Sequence, residues 1–115
     1  MSDDIVKRLF EYVDSRDWES LCDAFCDDVV YERPGYAPLI GLDSVLHFYR
    51  EERVIASGQH ELENVVANGG SGACWGRFVG IHKNGSPLSE RFADVYTFEK
   101  GKIKTRKSYF FRPAV

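Results

Sequence analysis

Apolar and polar residues alternate with two different periods along the chain, and the period changes near the middle. In the first half, apolar side chains recur at helical spacing over residues 5–14, 18–25 and 44–55. A short β-branched and aromatic segment, 29–32, precedes the third helix. In the second half, alternation with a period of two predicts half-buried strands over residues 61–67, 73–82, 88–98 and 102–112. The order predicts an α+β domain with helices packed on one face of an antiparallel sheet.

Two turns join the last three predicted strands. Asn84-Gly85 lies between extended segments and predicts a tight hairpin turn. Glu99-Lys100-Gly101 predicts a three-residue loop that ends in glycine. The strand over 88–98 is therefore central in the sheet.

An acidic residue occupies the aromatic side of this central strand. Asp94 shares that side with Phe92 and Tyr96, because side chains two residues apart point the same way. The registers that the two turns predict place Arg77 and Arg106 directly opposite Asp94. A charge ladder on a solvated face is the alternative interpretation. The aromatic neighbours favour a buried cluster, because an unpaired buried carboxylate would be costly.

Composition narrows the class of protein. With 115 residues, of which 43% are hydrophobic, the chain is expected to form one domain over residues 1–115. A net charge of −3 gives no basic footprint for nucleic acid, and no apolar run is long enough to predict a membrane span. Three cysteines without a secretory pattern favour a reduced, cytoplasmic protein. Scattered histidines and unpaired cysteines predict no metal site, and no cofactor is expected.

Three motifs, in order and at matching spacing, carry a resemblance. They are a helix break and acidic turn before a strand (13–18 and 25–32), the helix GLDSVLHFYR (41–50), and a strand, turn and return strand (92–103). Over residues 5–111 the chain resembles the SnoaL-like and ketosteroid isomerase-like members of the nuclear transport factor 2-like superfamily. The resemblance implies a cone-shaped, strongly curved antiparallel sheet wrapped around three N-terminal helices, also called cystatin-like, with a small-molecule site in the cone.

The resemblance also assigns individual positions. In ketosteroid isomerases a carboxylate after the first strand is the general base, and a tyrosine and a protonated aspartate bind the oxyanion. Asp94 matches the oxyanion aspartate and Tyr49 matches a supporting tyrosine, but the base position falls on Arg33, preceded by Glu32, and the oxyanion tyrosine falls on Leu9. Arginine cannot act as a base at neutral pH, so the steroid double-bond shift is not expected.

The same resemblance defines the predicted site. It places Trp75, Arg77, Val79 and Ile81, and on the last strand Arg106, Ser108 and Phe110, on the pocket face. The candidate catalytic residues are Asp94, Arg77, Arg106 and Glu32. The candidate ligand-binding residues are Arg33, at the mouth, and Tyr49, Trp75, Phe92, Tyr96 and Phe110. Excess arginine favours a carboxylate, enolate or phenolate ligand.

A protein-interaction role stays open, and two further functions are favoured over it. One is a domain that binds a small organic molecule, or a structural module whose ion cluster specifies the fold, without chemistry. The other is an isomerase, cyclase or hydrolase-type enzyme acting on a small carbonyl, carboxylate or aromatic compound, with Asp94 as acid/base and the arginines stabilising the anion. The epoxide hydrolases of the superfamily use a carboxylate–arginine–carboxylate set, which is inverted here.

The opposite face of the predicted sheet is unusually apolar. It carries Ala93, Val95, Thr97, Phe78, Lys107, Tyr109 and Phe111. Similar members of the family pair through this face, so the resemblance implies a homodimer. Coverage by a loop or by the C-terminal segment of the same chain is the alternative.

Overall fold

The computed structural model of the protein describes residues 2–111. The helices are α1 (Ser2–Ser15), α2 (Trp18–Leu21, continued by a 3-10 turn, Cys22–Ala24) and α3 (Leu42–His47, continued by a π-helical turn, Phe48–Glu52). The strands are β1 (Phe25–Glu32), β2 (Leu39–Ile40), β3 (Ile55–Asn68), β4 (Ser71–His82), β5 (Pro87–Glu99) and β6 (Lys102–Phe110). They form one sheet in the order β2-β1-β6-β5-β4-β3. Within 2–111, no helix has the length and apolar character needed to cross a membrane.

The predicted α+β class, with three helices before a four-stranded meander, is confirmed. Strands β3 to β6 pair antiparallel in sequence order. The sheet is nevertheless mixed, because β1 pairs parallel with β6. A parallel pair needs a long crossover, and the segment from β2 to β5 supplies it. Leu39–Ile40 is a short strand that pairs antiparallel with β1.

The hydrophobic core lies between the helices and the inner face of the sheet. Val6, Leu9, Phe10 and Val13 of α1 are all buried, which is the stripe expected for an amphipathic helix. The Asp17 side chain caps α2, accepting a hydrogen bond from the backbone N–H of residue 20 at 3.1 Å. These helices cover the sheet on one side and leave its other face open.

The hairpin between β4 and β5 differs in register from the predicted one. Asp94 pairs with Cys74 instead of Arg77, three residues along the strand, and Arg77 pairs with Arg91. An odd offset turns every side chain of a strand to the other face of the sheet. Arg77 and Trp75 therefore lie on the outer face, and the prediction that they face the cavity with Asp94 is wrong.

The chemistry of the turn explains this offset. The Asn84 side chain accepts a hydrogen bond from the Ser86 backbone N–H at 2.9 Å, and Gly85 has a φ of +92°. Asn84 does not have a positive φ, which a two-residue type I′ turn requires at both central positions. The loop is consequently wider, and the first strand pair beyond it is Ile81 with Pro87.

The hairpin between β5 and β6 also differs in register from the predicted one, but its side chains stay on the predicted faces of the sheet. Its turn has two residues, Lys100 and Gly101, with φ values of 54° and 77°, and a bulge follows in the ladder. Asp94 pairs with Ser108 rather than Arg106. Because this offset is two residues, Arg106 stays on the inner face, diagonal to Asp94.

Two glycines shape the inner face beside Phe78. A Cβ at Gly58 would lie 2.2 Å from Cζ of Phe78, and one at Gly80 would lie 2.8 Å from the same atom. Their missing side chains leave room for the Phe78 ring, which is buried on the inner face. The prediction that Phe78 belongs to the outer face is wrong, for the same reason of register.

Candidate functional site

The inner face of the sheet and the ends of the helices enclose a small cavity of about 30 Å³, which holds about two water molecules. Its ionisable lining residues are Arg33, Arg53, His60, Glu90, Asp94 and Arg106. The remaining wall is mostly aromatic and consists of Tyr31, Tyr49, Ile55, Phe78, Phe92, Ser108 and Phe110. The cavity is therefore a charged site set in an aromatic shell.

Asp94 is buried and binds Arg106 of the neighbouring strand. The Arg106 Nε and Nη2 atoms lie 3.0 Å and 2.9 Å from Asp94 Oδ2. The Tyr96 hydroxyl donates to the same oxygen at 2.9 Å. Within residues 2–111, no group donates a hydrogen bond to Asp94 Oδ1. Two hydrogen bonds and an ion pair thus hold one oxygen of the carboxylate, whereas the other accepts no hydrogen bond from the described residues.

Arg106 is held from several sides. Its Nη1 donates to the Tyr49 hydroxyl at 2.7 Å, and its guanidinium lies 4.4 Å from the ring centroid of Tyr31. Burial by itself lowers the pKa of Arg106, but Asp94 and the tyrosine hydroxyls outweigh it and raise that pKa well above its ordinary value. Arg106 is therefore a permanent cation of the site.

A separate set of hydrogen bonds joins Tyr31 of β1 to Ser108 of β6 and to Arg33. The Tyr31 hydroxyl lies 2.9 Å from Ser108 Oγ, and Arg33 Nη1 donates to Tyr31 at 3.1 Å. Burial raises the pKa of Tyr31, but the cations Arg106 and Arg33 more than offset it and lower that pKa below its ordinary value. Tyr31 was absent from the predicted site, although it lies on the same face of β1 as Arg33.

Arg33 and Glu32 point in opposite directions. Arg33 is 8% exposed and packs over the rings of Tyr36, Phe48 and Phe110, so it lies in the wall and not at the mouth as predicted. Glu32 is exposed, with a carboxylate oxygen 3.7 Å from Lys107 Nζ. The prediction that Glu32 is a catalytic residue is therefore not supported by its position, which is outside the cavity.

Arg53 lies in the cavity wall directly after α3. It is 6% exposed and packs over the rings of Tyr49 and Phe78 at 5.4 Å and 5.7 Å. Its Nε makes no hydrogen bond within the described residues, and no carboxylate there forms an ion pair with it. Burial lowers the pKa of Arg53. The site thus contains a buried guanidinium that forms no ion pair with a carboxylate among residues 2–111.

His60 enters the cavity from β3 and is paired with Asp14 at the end of α1. Asp14 Oδ2 accepts a hydrogen bond from the His60 backbone N–H at 2.8 Å, and Asp14 Oδ1 lies 2.5 Å from His60 Nδ1. Burial lowers the pKa of His60, whereas Asp14 acts in the opposite direction. The ring contacts three phenylalanines, Phe10, Phe78 and Phe92, with centroid distances from 4.5 to 5.4 Å.

The remaining predicted residues are distributed around this site. Tyr49, Phe92 and Phe110 line the cavity. Tyr96 does not line it but lies behind Asp94 as a hydrogen-bond donor. Trp75 lies outside, 40% exposed.

The sequence interpretation missed Arg53 and His60 for one reason. It ended the third helix at 55 and began the next strand at 61, whereas β3 starts at Ile55. The alternation of Gly58, His60 and Leu62 on one face of β3 was the available signal. Among residues 2–111, no group of three or more His, Cys, Asp or Glu side chains could hold a metal ion.

The sequence also identifies the family. The model of the SnoaL-like domain matches residues 6–106, and the chain belongs to the SnoaL-like domain family. The resemblance given by the motifs is thereby confirmed. No curated protein matches the sequence.

Solved structures show the same fold. An NTF2-like protein of unknown function from Burkholderia pseudomallei superimposes with a TM-score of 0.87 at 22% identity, covering 95% of this chain and 89% of that one. An LEH-like epoxide hydrolase of M. tuberculosis has a TM-score of 0.83 at 17% identity, covering 95% and 81%. A ketosteroid isomerase-like protein from Catenulispora acidiphila, in complex with trimethylamine, has a TM-score of 0.81 at 16% identity, covering 91% and 83%. At these identities the likeness shows the NTF2-like fold alone.

Proposed function

We propose that this SnoaL-like domain binds a small organic anion in the cavity beside Asp94 and Arg106. The observation that carries the proposal is Arg53, a buried guanidinium with no hydrogen-bonded or ion-paired carboxylate among the described residues. An uncompensated buried cation costs free energy, and an anionic ligand would remove that cost. Guanidinium groups pair with planar carboxylates through two parallel hydrogen bonds.

The charge of the lining supports the same conclusion. Three arginines face two carboxylates, Asp94 and Glu90, so the cavity has an excess of positive charge. The trimethylamine of the Catenulispora protein is a poor guide to this site, because a basic amine is cationic at neutral pH. A volume of about 30 Å³ is that of about two water molecules, so acetate or pyruvate requires a small movement of the wall and an aromatic ligand a larger one.

Calorimetric titration with acetate, pyruvate, benzoate and trimethylammonium tests the proposal. We expect the small carboxylates to bind, the cation not to bind, and Arg53→Met to weaken carboxylate binding at least tenfold. Arg50→Met is the matched control, because Arg50 is exposed on the same helical turn. The proposal fails if no carboxylate binds or if Arg53→Met binds as the parent does.

A proton-transfer enzyme is the second candidate function. The observation in its favour is Asp94, which lines the cavity and whose Oδ1 accepts no hydrogen bond from the described residues and could accept a proton. Arg106 would stabilise the resulting anion, whereas Arg77 on the outer face would not contribute. Turnover of small carbonyl or carboxylate compounds by the parent, and its loss in Asp94→Asn, would support this candidate over simple binding.

We propose further that the protein is a homodimer through the outer face of the sheet. That face exposes Trp75, Val79, Val95 and Tyr109, each 40% or more exposed, which is unusual for a solvated sheet. A two-fold pairing would cover the same face on both copies. Sedimentation at micromolar concentration is expected to give a dimer, and Val95→Asp a monomer. A parent protein that sediments only as a monomer would contradict this.

A cytoplasmic location is proposed as well. Cys22, Cys26 and Cys74 are all free thiols, as expected in a reducing compartment. Fractionation of the native source with an antibody against the protein tests the location.

A further inference from the structure

We propose that His60, held by Asp14, is the proton acceptor of the cavity and acts on the carbon acid of a bound 2-oxo carboxylate. This inference rests on the proposed binding of a small carboxylate at Arg53. It adds a base that the sequence did not suggest and a class of substrate for that site.

The first support is the geometry of the pair. Asp14 uses both oxygens on His60, one for the backbone N–H at 2.8 Å and one for Nδ1 at 2.5 Å. A carboxylate at this distance holds the proton on Nδ1 and fixes the orientation of the ring. Nε2 is then left with its lone pair, and within residues 2–111 it takes part in no hydrogen bond, although the ring lines the cavity.

The second support is the position of the ring relative to the arginines. His60 packs against Phe78, and Arg53 lies over that same ring at 5.7 Å. His60 also packs against Phe10, and Arg106 lies over that ring at 5.3 Å. The imidazole therefore lies one aromatic ring away from two cations that can hold an anion.

The third support is the charge state. The charged groups that face the ring are Asp14 of α1, Arg53 after α3 and Arg106 of β6, and the rest of the wall contributes Arg33, Glu90 and Asp94. Burial and the two facing arginines lower the pKa of His60 against the opposing effect of Asp14. The imidazole is consequently neutral at neutral pH, as a base must be.

Asp94 is less suited to this role than His60. Its Oδ2 already accepts two hydrogen bonds, from the Tyr96 hydroxyl and from Arg106 Nε, and forms an ion pair with Arg106 Nη2. His60 has a partner, Asp14, that stabilises the imidazolium once it forms. Asp94 is then the residue that positions Arg106.

The proposed step balances without a further reactant. His60 Nε2 takes a proton from the carbon next to the oxo group, and that C–H bond breaks. Its electron pair forms the carbon–carbon double bond of the enolate while the carbonyl pair moves onto oxygen. Arginine donors stabilise the enolate oxygen and the carboxylate. The reverse step returns a proton from His60, which in D₂O is a deuteron.

Proton NMR of pyruvate in D₂O tests this step without knowledge of the natural substrate. We expect the parent protein to exchange the pyruvate methyl protons at least tenfold faster than buffer, and acetone, which lacks the carboxylate, no faster than buffer. His60→Gln should lose at least 90% of the acceleration while still binding pyruvate. His47→Gln is the matched control, because His47 is exposed, and it should behave as the parent.

A second variant separates catalysis from a structural role of the pair, which also ties α1 to β3. In ¹⁵N-histidine NMR, parent His60 should carry its proton on Nδ1, and Asp14→Asn should shift it to Nε2 and slow exchange without abolishing pyruvate binding. Any of three results overturns the inference. They are exchange in His60→Gln that is as fast as in the parent, a proton on Nε2 of His60 in the parent, and bound pyruvate that exchanges no faster than in buffer. If pyruvate and the other carboxylates do not bind at all, the proposed function fails first and the inference with it.

Discussion

Two carboxylates pair with a basic side chain that lines the cavity: Asp94 with Arg106, where both residues are buried, and Asp14 with His60, where both are part-buried. The two carboxylates bind their partners in different ways. Asp94 binds both Tyr96 and Arg106 through one oxygen and keeps the other without a hydrogen bond in the described chain. Asp14 divides its two oxygens between the backbone and the ring of His60. The first partner is permanently charged and the second is titratable. A carboxylate beside a permanent cation stabilises the site, whereas one beside an imidazole can support proton transfer.

Replacing the permanent cation should have the largest effect. Arg106→Met leaves Asp94 buried with only the Tyr96 hydroxyl, and we expect the free energy of unfolding to fall by roughly 3–5 kcal/mol. Urea denaturation measures it, with Lys107→Met, at an exposed position of the same strand, as control. A loss no greater than that of the control would show that the pair does not stabilise the fold.

Removing the charge of Asp14 should lower the free energy of unfolding by a smaller amount. Asp14→Asn keeps one acceptor but loses a charge-assisted hydrogen bond to His60, and we expect a loss of roughly 1.5–3 kcal/mol. Asp27→Asn, at an exposed position, is the comparison variant in the same denaturation experiment. If Asp14→Asn were as stable as that variant, the contact between α1 and β3 would not depend on the carboxylate.

Replacing Arg53 should change the free energy of unfolding in the opposite direction from replacing Arg106. Arg53→Met removes a buried cation that has no ion-paired carboxylate among residues 2–111, so we expect an increase in stability of roughly 1 kcal/mol in ligand-free protein. The same variant should lose the stabilisation that added acetate gives the parent. Thermal unfolding with and without acetate checks both, and a destabilised ligand-free variant would identify Arg53 as a structural cation.

The smallest expected effect is the pH dependence of the His60 pair. Because folding lowers the pKa of His60, the unfolded chain binds the proton more tightly, and stability is lost as the pH falls below about 6.5. The stability difference between the parent and His60→Gln should therefore shrink from pH 7.5 to pH 5. Chemical denaturation at several pH values measures it. A difference that grows on acidification would mean that the fold favours the imidazolium.

How far the sequence predicts the site depends on whether the register of each hairpin is offset by an odd or an even number of residues. The periodicity of β5 and β6 was sufficient to place Asp94 and Arg106 on one face, since an error of two residues leaves parity unchanged. The prediction failed for Arg77, because the side chain of Asn84 widens the turn and shifts the register of β4 against β5 by an odd number of residues. The helices follow their apolar spacing closely, so the class of fold was predictable from the pattern alone.

His60 and Arg53 illustrate a different limit. They lie near the change from helix to strand, where the alternation of Gly58, His60 and Leu62 is a short pattern that includes one glycine and is easily missed. The Asp14–His60 contact joins residues 46 positions apart, and local sequence carries no signal for it.

The glycines behind Phe78 have a consequence for ligand preference. Gly58 and Gly80 touch no ligand position, yet a Cβ at either one would displace a ring that forms part of the cavity wall. The size of the cavity is thus determined in part by residues behind its wall. Relatives with alanine or serine at these two positions would have a narrower chamber around the same charged groups. Diversification of ligand choice in this family could therefore proceed through residues that never contact the ligand.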